Sequence, residues 1–145
     1  MKLRDIMTKD VEVVRPDSAL QEAARMMRDA DTGFLPVCDG EQLIGTVTDR
    51  DIAIRSTAEG QDPSSAKVQE VMSEELVFAY EDQDSNEAAQ IMAEKRIRRL
   101  PVVNREKRLV GVVSLGDLAT QTPDDDVVGQ TIQDVSQPGG QHSQS

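Results

Sequence analysis

Short apolar runs and amphipathic stretches alternate along this chain in an order that occurs twice. Residues 11–14 (Val-Glu-Val-Val) and 76–79 (Leu-Val-Phe-Ala) are β-prone runs. Each is followed by residue types that favour helix starts, Asp17-Ser18 in one case and Asp82 with Asp84-Ser85 in the other. Leu20, Ala23, Ala24 and Met27, with Ala30 beyond them, then recur at three-four spacing and predict one apolar helix face. Ala88, Ile91 and Met92 do the same in the later stretch. Phe34-Leu35-Pro36-Val37-Cys38 and Leu100-Pro101-Val102-Val103 read as buried strands, each with a proline near its start where the missing N–H is tolerated. Asp39-Gly40 and Asn104-Arg105 predict hairpin turns. Residues 43–47 and 109–113 are the returning strands, and further helices are expected to start near Asp49 and Leu115. The predicted order is strand, helix, strand, strand, helix, twice: an α+β fold built as a tandem repeat of a βαββα unit.

The residues themselves repeat as well, which is the strongest single signal in the chain. Asp5-Ile6-Met7-Thr8 answers to Glu70-Val71-Met72-Ser73. At the same spacing Glu22-Ala23-Ala24 meets Glu87-Ala88-Ala89, Met27 meets Met92, and Leu35-Pro36-Val37 meets Leu100-Pro101-Val102. One inserted residue near Arg108 shifts the spacing by one, after which Gly45 meets Gly111 and Asp51 meets Asp117. Residues 1–60 are therefore read as the first copy, 61–67 as a linker around Asp62-Pro63-Ser64-Ser65, and 68–122 as the second copy. Residues 123–145 are expected to hold a short helix around 124–135 and a disordered polar tail from Gln137 onwards.

Composition narrows the function classes. Aromatic content is 2% and Trp is absent, so a core must be built from Val, Ile, Leu, Ala and Met. Either half is small for burying a core alone, which leads to the expectation that both share one. The net charge of -11 repels phosphates, so nucleic acid and anionic membranes are excluded as partners. No apolar run approaches the roughly 20 residues of a membrane span, and the first residues lack a signal peptide's apolar stretch. With one cysteine, Cys38, no internal disulfide can form, and a cytoplasmic location is expected. Cys38 reads as a small core hydrophobe, and Met7, Met27, Met72 and Met92 as adaptable core filler. The one histidine, His142, sits in the polar tail and is no credible catalytic base. A structural zinc site lacks ligands, a P-loop is absent, and no nucleophile adjoins a base. Neither a metal nor an enzymatic activity is expected.

The Asp-Ile-Met-Thr opening, the Leu-Pro-Val strand and the Gly-x-x-Thr/Ser-x-x-Asp ending together resemble the CBS domain. That ending is carried by Gly45, Thr48 and Asp51, and again by Gly111, Ser114 and Asp117. Arg98-Arg99-Leu100-Pro101-Val102-Val103 is similar to second copies of that family, and the resemblance covers about residues 1–120. It implies a CBS pair related by a pseudo-twofold axis, with two clefts between the copies in which members frequently bind adenine nucleotides or related adenosyl compounds. It further implies a homodimer formed through the helices after Thr48 and Ser114, and a non-enzymatic regulatory role towards an unidentified protein. No obligatory cofactor is implied; the adenine nucleotide is a regulatory ligand.

Two readings of the Ser/Thr-x-x-Asp elements stay open. A carboxylate can accept hydrogen bonds from both ribose hydroxyls, with the hydroxyl three residues earlier contacting ribose or phosphate. The same spacing is that of a capping box, which needs no ligand. The basic run of Lys95, Arg96, Arg98 and Arg99 divides similarly. Lys95 and Arg96 fit a helix C-terminus, where cations complement the dipole. The resemblance implies that Arg98 and Arg99 meet the ligand phosphate, and Arg suits that task through bidentate bonding. The first copy has Gly33-Phe34 at those positions. By family geometry, the cleft of Ser114, Asp117, Arg98 and Arg99 would place adenine near Glu12, Thr32 and Gly33. The other, with Thr48 and Asp51, would place it near Val77 and Ile97. The alternative from a different class is a constitutive interaction scaffold with no small-molecule ligand.

Overall fold

The computed structural model describes residues 1–121; the predicted helix around 124–135 and the tail lie outside the described residues. Two units form among the described residues, one from Glu12–Leu76 and the other from Met1–Val11 together with residues 77–121.

In the Glu12–Leu76 unit, helix α1 (Leu20–Ala30) leads to the antiparallel strands β1 (Phe34–Asp39) and β2 (Gln42–Thr48). Helix α2 (Asp49–Ile52) follows and widens into a π turn over Ala53–Thr57. The second unit repeats the plan. Strand β3 (Ala79–Tyr80) runs parallel to β4 (Arg99–Val103), which pairs antiparallel with β5 (Leu109–Ser114). Helix α3 (Ser85–Lys95) connects β3 to β4, and α4 (Leu115–Gln121) follows β5. Both hairpins turn through left-handed backbone, at Gly40 (φ 63°) and at Lys107 (φ 64°). In the second, the Asn104 carboxamide oxygen accepts from the N–H groups of Glu106 and Arg108. The α+β βαββα order is that of the sequence pattern.

The first strand of each copy departs from expectation. The run over residues 11–14 shrinks to one parallel bridge, Val14 to Val37, and the run over 76–79 becomes the two-residue β3. A proline explains why the first is shorter. Glu81 N–H continues the ladder to the Val103 carbonyl at 2.9 Å. Pro16 holds the repeat position of Glu81 and has no N–H to donate. Helix α1 begins after Ala19, whose methyl group cannot cap it, and the Ser18 hydroxyl one residue earlier accepts from Arg15 N–H. Helix α3 is capped by Asp84, which accepts from Asn86 N–H. Ala24 and Ala30 face solvent, leaving Leu20, Ala23 and Met27 as the buried face of α1.

The apolar residues gather in two clusters rather than the single shared core expected from chain length. One holds Leu20, Ala23, Met27, Leu35, Val37, Val47, Val68 and Val71, the other Leu3, Ile6, Ala88, Met92, Leu100, Val102, Val113 and Leu118. Each small unit completes its core with the lead-in segment of the opposite copy. Leu3 and Ile6 belong to the first copy in sequence, yet they pack with the second copy's strands and α3. Val68 and Val71 pack with the first copy's. The lead-ins also extend the hairpins: Thr8 exchanges two backbone hydrogen bonds with Val112 (2.9 and 3.0 Å), and Ser73 does so with Thr46 (2.8 and 3.1 Å). Among the described residues no helix is long and apolar enough to cross a membrane.

Candidate functional site

Each hairpin's return strand delivers a hydroxyl residue to the start of the following helix. In β2–α2, Asp51 N–H donates to Thr48 Oγ1 (3.1 Å) while Thr48 N–H donates to Asp51 Oδ2 (2.9 Å). In β5–α4, Asp117 N–H donates to Ser114 Oγ (3.1 Å) and Ser114 N–H to Asp117 Oδ2 (2.9 Å). Both are reciprocal capping boxes, so the local reading of this spacing holds in full. A box occupies one carboxylate oxygen and leaves the other for a further partner. Asp51 Oδ1 stands 3.9 Å from Arg55 Nε, one helical turn on. Asp117 has no ion pair among the described residues.

The hairpin register decides which side chain flanks each box. Phe34 pairs with Thr48, and Arg99 pairs with Ser114. Directly opposed antiparallel residues lie on the same sheet face. Phe34 is buried. Arg99 is partly exposed, but its Nε is buried and has no hydrogen-bond acceptor among the described residues. Arg98 is exposed, and its carbonyl accepts from Leu115 N–H at 2.9 Å, just as the Gly33 carbonyl accepts from Asp49 N–H at 3.0 Å.

The motif glycines serve the lead-ins rather than a ligand. A Cβ on Gly45 would sit 2.6 Å from the Ser73 carbonyl oxygen, and one on Gly111 would sit 2.7 Å from both the Thr8 carbonyl oxygen and Met7 Sδ. Only a residue without a side chain lets the crossing segment lie against the strand.

Of the residues singled out from sequence, Ser114, Asp117, Arg98, Arg99, Val77 and Ile97 fall in the second unit, with Val77 and Ile97 packed against its core. Glu12, Thr32, Gly33, Thr48 and Asp51 fall in the Glu12–Leu76 unit. Glu12 is exposed, Gly33 is buried, and Thr32 Oγ1 accepts from Phe34 N–H at 3.3 Å. Arg55 was not singled out; its one-turn spacing from Asp51 was the available signal. It also donates to the Val71 carbonyl at 3.3 Å. Cys38 is buried, and burial pushes its thiol up to about 11. No cluster of three or more His, Cys, Asp or Glu side chains suited to a metal occurs among the described residues.

The family model described as the CBS domain matches residues 3–56 and again residues 68–122. The chain belongs to the CBS-domain family. This CBS pair is 42% identical over 134 residues to the CBS domain-containing protein YhcV of Bacillus subtilis, covering 92% of this chain and 94% of that one. Its fold is similar to the crystal structure of Hypoxic Response Protein I with two coordinated zinc ions, at a TM-score of 0.79 and 37% identity, covering 85% of this chain and 100% of the other. It is also similar to the CBS domain pair of protein MJ0100 in complex with 5′-methylthioadenosine and S-adenosyl-L-methionine. There the TM-score is 0.73 and the identity 26%, with 83% of this chain and 98% of that one covered.

Proposed function

We propose that this CBS pair is a non-enzymatic sensor that binds an adenine nucleotide or related adenosyl compound. Ser114, Asp117, Arg98 and Arg99 form the better equipped site, and Thr48 and Asp51 the lesser one. The observation that carries this reading is the buried Arg99 Nε, which lacks an acceptor among the described residues beside Ser114. An unpartnered buried N–H costs about 1–3 kcal/mol, and a ligand phosphate would supply the missing acceptor. The oxygen of Asp117 that the capping box leaves over is suited to ribose hydroxyls. The adenosyl ligands of MJ0100 support the ligand class. Glu12, Thr32, Gly33, Val77 and Ile97 are assigned to the adenine.

Calorimetry and thermal melting with AMP, ADP, ATP, NADH and S-adenosylmethionine test the proposal on wild type and Asp117→Ala. A binder stabilises the fold by about 2.7 kcal/mol at 100 times its dissociation constant, and Asp117→Ala weakens binding. Silence from all five ligands in both assays defeats the reading.

The proposal includes a homodimer formed through α4 and through α2 with the turn that extends it, acting on a regulated protein in the cytoplasm. Ile54, exposed on the turn that extends α2, supports that face. Sedimentation of wild type against Ile54→Arg tests it: a dimer that becomes a monomer is expected, and unchanged mass counts against it.

The second reading, a ligand-free interaction scaffold, is favoured by the completeness of both capping boxes. On that reading Asp117→Ala costs about 0.5–2 kcal/mol of stability and alters no ligand response. Capture of one partner irrespective of nucleotide would favour it.

A further inference from the structure

The two units place opposite chemistry at one repeat position. Strand β4 sets Arg99 across from Ser114, and β1 sets Phe34 across from Thr48. A guanidinium there presents charge-assisted donors to an anion. A buried phenyl ring presents none, and stripping water from a phosphate against it is strongly unfavourable. The neighbouring carboxylates sharpen the contrast. Asp51 already has Arg55 as its cation at 3.9 Å, so that arginine is partly neutralised as an anion receptor. Gly33, before the phenyl, adds no charge where the second unit carries Arg98.

We infer that Phe34 sets ligand charge: only the position occupied by Arg99 accepts a phosphorylated adenosyl ligand, and the position occupied by Phe34 accepts an adenosyl compound without phosphate. The inference rests on the adenosyl-binding reading above and adds to it a division of ligand class between the two units. The chain would then report on two metabolite pools at once, a phosphorylated and an unphosphorylated adenosyl compound.

Calorimetric titration of the whole chain with AMP and, separately, with adenosine tests this. Wild type is expected to take one equivalent of AMP and two of adenosine. Arg99→Phe should weaken AMP at least tenfold relative to adenosine, and Phe34→Arg should create a second AMP equivalent. Because Phe34 is buried, Phe34→Arg is checked for a cooperative melt. If that variant does not fold, Arg99→Phe remains decisive, since it introduces a residue that the other unit already carries at that position. Two equal AMP equivalents in wild type, or an unchanged AMP-to-adenosine ratio in Arg99→Phe, overturns the inference while leaving adenosyl binding standing. Absence of binding by both compounds overturns the adenosyl reading itself, and the inference with it.

Discussion

The two units share a plan closely enough that their differences can be compared position by position. Pro16 ends a ladder that Glu81 continues, so one sheet has two strands and the other three. Ala24 is exposed where its repeat partner Ala89 is buried. Asp51 is joined by Arg55, whereas Asp117 keeps its second oxygen uncommitted among the described residues. Phe34 is buried at the start of its strand, while Arg99 has a buried Nε without an acceptor among the described residues. Among the described residues each unit holds one buried polar side-chain atom without a partner, Ser56 Oγ in the Glu12–Leu76 unit and Arg99 Nε in the other. The difference lies in the group: a neutral hydroxyl in the first and a cationic guanidinium N–H in the second. Duplication supplies two copies of a stable frame, and departures from the repeat mark where their side-chain chemistry diverges.

The largest expected effect probes what the units share. Leu35→Ala and Leu100→Ala each remove a fully buried repeat-equivalent side chain, at a cost of about 2–5 kcal/mol. Comparable losses in chemical unfolding would confirm equal cores; a loss confined to one variant would break the equivalence. Gly45→Ala and Gly111→Ala come next, because each new Cβ meets the carbonyl oxygen of a crossing segment. A cost of about 1–3 kcal/mol is expected for each, with faster amide exchange at Ser73 and Thr8 respectively. Unchanged exchange at those amides would show that the crossing segments do not depend on the glycines.

Arg99→Phe should stabilise the free protein by about 1 kcal/mol, since it replaces a buried donor that has no acceptor among the described residues with the apolar side chain used by the other unit. Loss of stability would mean that the guanidinium is already satisfied.

The smallest expected effect concerns acid. In the second unit the Arg105 guanidinium holds Asp82 below the usual carboxylate range, with a bidentate pair at 2.8 and 3.0 Å. The terminal amine at 2.7 Å and Asn86 N–H hold Asp84 down as well. Carboxylates depressed in the folded state contribute stability that is present above their ordinary pKa of about 4 and lost as pH falls through the lowered values. In the Glu12–Leu76 unit, Asp62 is depressed only by its near neighbour Ser64. Hydrogen exchange between pH 6 and pH 3 should therefore loosen α3 before α1; the reverse order would contradict this assignment.

Much of this was legible beforehand because it is local. Turn residues, proline placement and apolar spacing predicted both hairpins and the four α-helices of the described residues to within a few residues, and the capping box was one of the two readings that Ser/Thr-x-x-Asp offered. The shortness of the first strands was less visible, since β-prone runs do not reveal how many ladder partners they find. The role of Gly45 and Gly111 could not be read at all, because the atoms that exclude a Cβ come from the other copy's lead-in.

The sequence by itself determined that the chain is a duplicated βαββα unit, where its hairpins lie, and that the copies differ at Phe34 and Arg99. Only the tertiary structure decided that Leu3 and Ile6 complete the second copy's core and Val68 and Val71 the first's. A repeat shows which segments are alike, and like segments compete for the same complementary surface. Which surface each occupies is settled by burial and strand pairing over long sequence separations, and the repeat pattern is the same for either outcome.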